Sequence, residues 1–144
     1  MRPLGCVYDD GGRSAAGYKS MNVRDCVARS IAIATGRPYK IVYRELNELS
    51  QYLFPKYRGR NRYPARNGIR PSLYGCYLLE LGWTWEAMPP GCRFRREDLP
   101  TTRPLLVKVF RHLSVVCGNT VRDREDARER KVYGVYHPPK RRLG

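Results

Sequence analysis

The sequence predicts an α+β fold, with N-terminal helices packed on one face of a C-terminal antiparallel sheet. Two observations predict it. Through the first half, apolar residues recur at helical spacing, as in Val27, Ile31 and Ala34, or Val42, Leu46, Leu49 and Leu53. From Pro104 onward the period drops to two, and short β-rich runs are joined by turn residues. Helices followed by strands, without alternation between them, indicate α+β over a doubly wound α/β arrangement. A length of 144 residues with 42% hydrophobic residues suits one domain with one moderate core. No internal repeat or linker divides it. We read 1–137 as the domain, interrupted by a basic loop at 56–70, and 138–144 as a basic tail.

In chain order, Cys6, Val7 and Tyr8 form a short extended piece, and Asp9, Asp10, Gly11 and Gly12 turn the chain. Residues 14–20 are a small, polar loop. The first helix is expected over about 23–35. Asn22 or Asp25 can cap it, because both side chains accept from free backbone N–H groups. Gly36 stops it. Ala and Ile occupy more than one of its faces, which marks a buried helix. A second, amphipathic helix is expected over 39–53, ending before Pro55. A third runs over 71–81, with Pro71 at the first helical position and Gly82 beyond the end. Trp83, Thr84 and Trp85 start a strand, and residues 88–91 and 97–100 are turns. Strands follow at 105–110 and 112–117. Gly118 and Asn119 make a hairpin turn to a partner strand at 120–123. After a charged connection at 124–130, residues 132–136 form the last strand. His137 reads as a surface residue at the strand end.

Charge is the strongest compositional signal. Twenty-eight Lys and Arg oppose thirteen Asp and Glu, a net +15. A small domain so basic implies an anionic partner, either nucleic acid or an acidic protein. The most basic stretch is 56–70, where Lys56, Arg58, Arg60, Arg62, Arg66 and Arg70 occur without an acid and with Tyr57 and Tyr63 between them. Such a loop can contact phosphates and stack on bases, or be a solvated basic insertion. The five cysteines include no CxxC pair, which argues against a zinc ribbon or a thioredoxin motif, and two histidines are too few for a confident metal site. No metal or cofactor is expected. No apolar run reaches the length of a membrane span, and residues 1–10 lack the apolar segment of a signal peptide. The expectation is a cytoplasmic protein without a membrane partner, its cysteines kept as thiols.

One stretch has the makings of a reactive centre. Cys26 stands in the first turn of the first helix, where the positive helix pole favours a thiolate. Asp25, an anion beside that thiol, works in the opposite direction. Cysteine catalysis also needs an imidazole and a group that orients it. His112 opens a strand, and Asp123 follows eleven residues later across the Gly118–Asn119 hairpin. Adjacent antiparallel strands bring such positions close enough for Asp123 to accept from the imidazole and fix its tautomer. A buried helix cysteine and a strand histidine that never meet would look the same in sequence.

The order of helix cysteine, strand histidine and hairpin aspartate resembles the papain-like cysteine peptidase fold, and within it small bacterial and phage proteins with a bacteriocin-leader-peptidase arrangement. The resemblance rests on residues 22–36 around Cys26, on Arg111 to Val116 around His112, on Val121, Arg122 and Asp123, and on residues 132–136. It spans roughly residues 18–137. It implies a papain-like fold acting on a peptide or protein substrate, with Cys26 as nucleophile, His112 as general base and Asp123 as orienting residue. The family often carries a glutamine oxyanion donor six residues before the cysteine, where this chain has Ser20. Asn22, four before it, can donate instead together with the Cys26 backbone N–H. The alternative from another class is a catalytically inactive phage protein of this fold. It would act as a structural or host-takeover factor, in the host cytoplasm or the virion, and bind nucleic acid or an acidic partner through its basic surface.

Overall fold

The computed structural model describes residues 4–18, 24–55, 65, 68–99 and 102–140. Helix α1 (Cys26–Thr35) begins on the cysteine itself. Val27, Ala28, Ile31, Ala32 and Ala34 are all buried, as the apolar character of several of its faces requires. Gly36 closes the helix at φ 73° with its N–H on the Ala32 carbonyl, a left-handed cap that favours glycine. Helix α2 (Tyr39–Leu53) buries the stripe Tyr39, Val42 and Leu46. Helix α3 (Pro71–Glu80) starts on Pro71, whose missing N–H has no intrahelical partner to lose at that position.

Six strands form one sheet in the order β1-β5-β4-β3-β6-β2. They are β1 (Gly5–Tyr8), β2 (Thr84–Ala87), β3 (Leu105–Val109), β4 (His112–Cys117), β5 (Thr120–Asp123) and β6 (Val132–His137). The strands after the helices pair antiparallel, as expected. The sheet is nevertheless mixed, which corrects the expectation of an all-antiparallel one: β1 lies parallel to β5, with Gly5 beside Thr120 and Tyr8 beside Asp123. Its direction escapes the hairpin rule because the helical half of the chain separates the two strands. By pairing there, β1 covers the edge that β5 would otherwise leave open.

Alternation along the strands divides the core in two. Leu106, Leu113 and Val115 pack with Ile31, Val42 and Leu46 beneath the helices. Leu105, Val107, Val109 and Val116 pack on the opposite face, where Leu4, Phe94, Leu99 and Ala127 from irregular segments cover them. Each such buried Val, Leu or Phe stabilises the fold by roughly 1.5–3 kcal/mol. Helices therefore cover one face and loops the other. His137 ends β6 at the surface, its Nε2 3.1 Å from Glu86 Oε1. Among the described residues no helix is long and apolar enough to cross a membrane.

Two contacts hold α1 in place. Ser30 donates from Oγ to the Leu113 carbonyl at 2.7 Å, which sets α1 level with the beginning of β4. Behind the helix, Gly11 approaches so closely that a Cβ there would lie 2.7 Å from the Arg29 carbonyl oxygen, and its φ of 69° is also left-handed. The loop following β1 is thus seated on the back of α1.

Candidate active site

Cys26 is half-buried at the first position of α1, the end of a helix that leaves its backbone N–H groups without intrahelical partners. Asp25 occupies the N-cap position, yet its side chain makes no capping bond. The carboxylate turns into the interior instead. It accepts from the Tyr39 hydroxyl at 2.7 Å and the Arg29 Nε at 3.0 Å, and lies 2.8 Å from Arg13 Nε. Burial together with Asp25 pushes the Tyr39 hydroxyl far up from its ordinary pKa. The anion expected to oppose the thiol is thus paired with two buried guanidinium groups.

His112, the first residue of β4, is 5% exposed. Its Nε2 lies 2.7 Å from Asp123 Oδ2, and the ring faces the same cleft as Cys26. With Nε2 engaged by Asp123, Nδ1 is the nitrogen left for the thiol. Glu125 Oε1 stands 3.3 Å from that same Nδ1. Burial pushes the His112 pKa down, but Asp123 and Cys26 outweigh it and raise the value to about 9. The ring is therefore protonated at neutral pH, with both nitrogens as donors. Burial likewise raises the Asp123 carboxyl, and the bonds from His112, Ser114 and the Glu125 N–H more than offset it, leaving its pKa lowered.

Asp123 is held from several sides. Ser114 Oγ donates to Oδ2 at 2.6 Å, the Glu125 N–H donates to Oδ1 at 3.2 Å, and Arg29 Nη1 lies 3.9 Å from Oδ1. Arg29 thereby connects Asp25, beside the thiol, with Asp123, behind the imidazole. The hairpin explains the rest. Val116 pairs with Val121 and Cys117 with Thr120. Continuing that register sets Ser114 opposite Asp123 and His112 opposite Glu125, all on one side of the hairpin.

The structure thus brings Cys26, His112 and Asp123 together. Asn22, Lys56, Arg58, Arg60, Arg62 and Arg66 lie outside the described residues, and Arg70 stands at the N-cap of α3. Sequence reasoning missed Ser114 and Glu125, which the hairpin register alone could have supplied. It also missed Arg13, Arg29 and Tyr39, for which no spacing offers a signal. Cys6, Cys76, Cys92 and Cys117 are free, and burial raises the pKa of Cys6, Cys92 and Cys117. Among the described residues no group of three or more His, Cys, Asp or Glu could hold a metal ion.

Two cavities, of about 640 Å³ and 520 Å³, meet at Cys26 and His112. Arg24, Phe110 and Arg111 line both. The larger runs on to Glu125, Arg130 and Lys131, and the smaller to Ile69, Pro71, Tyr74 and Leu113. Arg111, next to His112 in the turn between β3 and β4, has φ 51°, a conformation uncommon for a side chain of its size. The arrangement is an open cleft with a thiol and a protonated imidazole at its centre. Such a pair can form and break a bond at an acyl carbon while moving one proton. Comparison of the chain with protein-family models, with curated proteins and with solved structures found no match.

Proposed function

We propose that this protein is a papain-like cysteine hydrolase that cleaves a peptide or amide bond. The observation that carries the reading is the position of His112, 2.7 Å from Asp123 and lining the same cleft as Cys26 at a helix start. A helix N-terminus and a histidine cation are two surroundings that activate a cysteine nucleophile. In this mechanism the Cys26 sulfur, its proton held by His112, attacks the carbonyl carbon. The bond to the amine breaks as His112 delivers its proton to the leaving nitrogen, and an acyl thioester remains. Water then gives a proton to His112 and its oxygen attacks the thioester, releasing the acid and the Cys26 sulfur. Asp123 orients the ring and balances its charge throughout. The Cys26 N–H and the Asn22 amide are the assigned oxyanion donors.

The test uses a tagged peptidyl electrophile, with the modified cysteine mapped by mass spectrometry, alongside a pool of unlabelled peptides. The wild type takes up the probe at Cys26 at neutral pH and generates cleavage products from the pool. Cys26→Ala does neither. Equal cleavage by the Cys26→Ala protein would sink the assignment.

The net charge of +15 favours a second reading, an inactive phage protein of this fold that binds nucleic acid or an acidic partner as a structural or host-takeover factor. It predicts a mobility shift of arbitrary DNA or RNA at low salt that weakens steeply as salt rises. Absence of any shift at low salt would remove its nucleic-acid form.

A further inference from the structure

We propose that the larger cavity selects a polypeptide carrying an acidic side chain beside the scissile bond, an inference that rests on the hydrolase reading of Cys26. The cavity of about 640 Å³ is lined by Arg24, Arg29, Arg111, Arg130 and Lys131, against one carboxylate, Glu125. Two of these cations are already matched. Arg29 is bonded to Asp25 at 3.0 Å, and Arg130 Nη2 lies 2.8 Å from Glu125 Oε2. Among the described residues no carboxylate pairs with Arg24, Arg111 or Lys131. Arg111 lies over the Phe110 ring at 5.1 Å and Lys131 over the Tyr133 ring at 5.9 Å. Aromatic faces attract a cation without neutralising it, so the positive field remains open to a ligand.

The location of these charges decides the ligand class. They line a concave space that the thiol–imidazole pair also lines, not a flat stripe along the surface. A cavity of this size takes a few residues of polypeptide. The reacting groups suit an acyl carbon, which a peptide supplies and a phosphodiester does not. A carboxylate a few bonds from that carbon falls among Arg24, Arg111 and Lys131, where a neutral side chain of the same shape gains no charge attraction. Sequence specificity therefore comes from charge at the cleft.

The experiment measures alkylation rates of Cys26 in the full chain with two pairs of probes. Acetyl-Asp and acetyl-Asn chloromethyl ketones carry the side chain on one side of the reactive carbon. Chloroacetyl-Asp-amide and chloroacetyl-Asn-amide carry it on the other. In each, the sulfur bonds to the methylene carbon and chloride leaves. Exposed Cys76 in the same molecule is the internal reference. The proposal expects one pair to react about tenfold faster as Asp than as Asn at low ionic strength, with the ratio nearing one at about 1 M salt. Lys131→Glu and Arg24→Glu, both at exposed positions, each lower that ratio several-fold. If Cys26 outpaces Cys76 but neither pair separates by more than twofold, the acid preference is overturned and the hydrolase reading stands. If Cys26 reacts no faster than Cys76 with every probe, the hydrolase reading fails and the preference falls with it. Protection of Cys26 by a short oligonucleotide, where an acidic peptide of equal charge gives none, would assign the cations to nucleic acid and overturn the proposal.

Discussion

Replacing Asp123 by Asn tests the electrostatics of the site while keeping the shape of the side chain. In the wild type the His112 pKa rises from 6.5 to about 9. At about 1.4 kcal/mol per pH unit, that amounts to about 3 kcal/mol in favour of the protonated ring. The folded value lies above the unfolded one, so this stabilisation is fully present below about pH 6.5 and is lost as pH rises through about 9. The Asp123→Asn substitution would leave the burial of His112 and the influence of Cys26 in place and remove the Asp123 charge, so the His112 pKa should fall from about 9. Only two histidines are present, so the Cε1–H resonance of His112 can be followed by NMR and assigned by its loss in His112→Ala. Urea unfolding at about pH 6.5 and about pH 9 gives the linked quantity. The wild-type midpoint should fall by up to about 1–2 M more than that of Asp123→Asn, given an ordinary denaturant slope for a small domain. A wild-type His112 titrating near its ordinary 6.5, or a titration indifferent to the substitution, would refute the reasoning.

Asp25→Asn should cost about 3–5 kcal/mol in urea unfolding, since it leaves the buried guanidinium groups of Arg13 and Arg29 without their shared carboxylate. Gly11→Ala should destabilise by more than about 1 kcal/mol, because a Cβ would meet the Arg29 carbonyl oxygen at 2.7 Å in a left-handed backbone. Ser114→Ala removes the 2.6 Å bond to a buried carboxylate and should cost about 1–3 kcal/mol by the same assay, with the His112 resonance still titrating above 6.5.

Much of the fold is legible in the sequence where one local rule acts alone. The spacing of Val42, Leu46, Leu49 and Leu53 marks α2, which spans Tyr39–Leu53. The Gly118–Asn119 turn gives the hairpin of β4 and β5, because Gly118 and Asn119 both take the positive φ that such a turn demands. The same hairpin made the nearness of His112 and Asp123 predictable. What resisted reading depends on contacts distant in sequence. The parallel partner of β1 is more than a hundred residues away in the chain. Asp25 looked like a cap or a hindrance to the thiol. Its role as the acceptor for Arg13, Arg29 and Tyr39 depends on a loop and a second helix folding back onto α1. The charge of the chain was plain from composition, whereas its concentration at Arg24, Arg111 and Lys131 arises only when two separate turns meet the start of α1.

Whether His112 makes Cys26 reactive is read from the rate of Cys26 alkylation by iodoacetamide at neutral pH in the wild type and in His112→Ala. Wild-type Cys26 should react at least about tenfold faster than Cys76, within the range expected of a positioned acid–base partner, and His112→Ala should bring the two rates together. Cys26 and Cys76 reacting at the same rate in the wild type, or a Cys26 rate unchanged by the loss of His112, would contradict that role for His112.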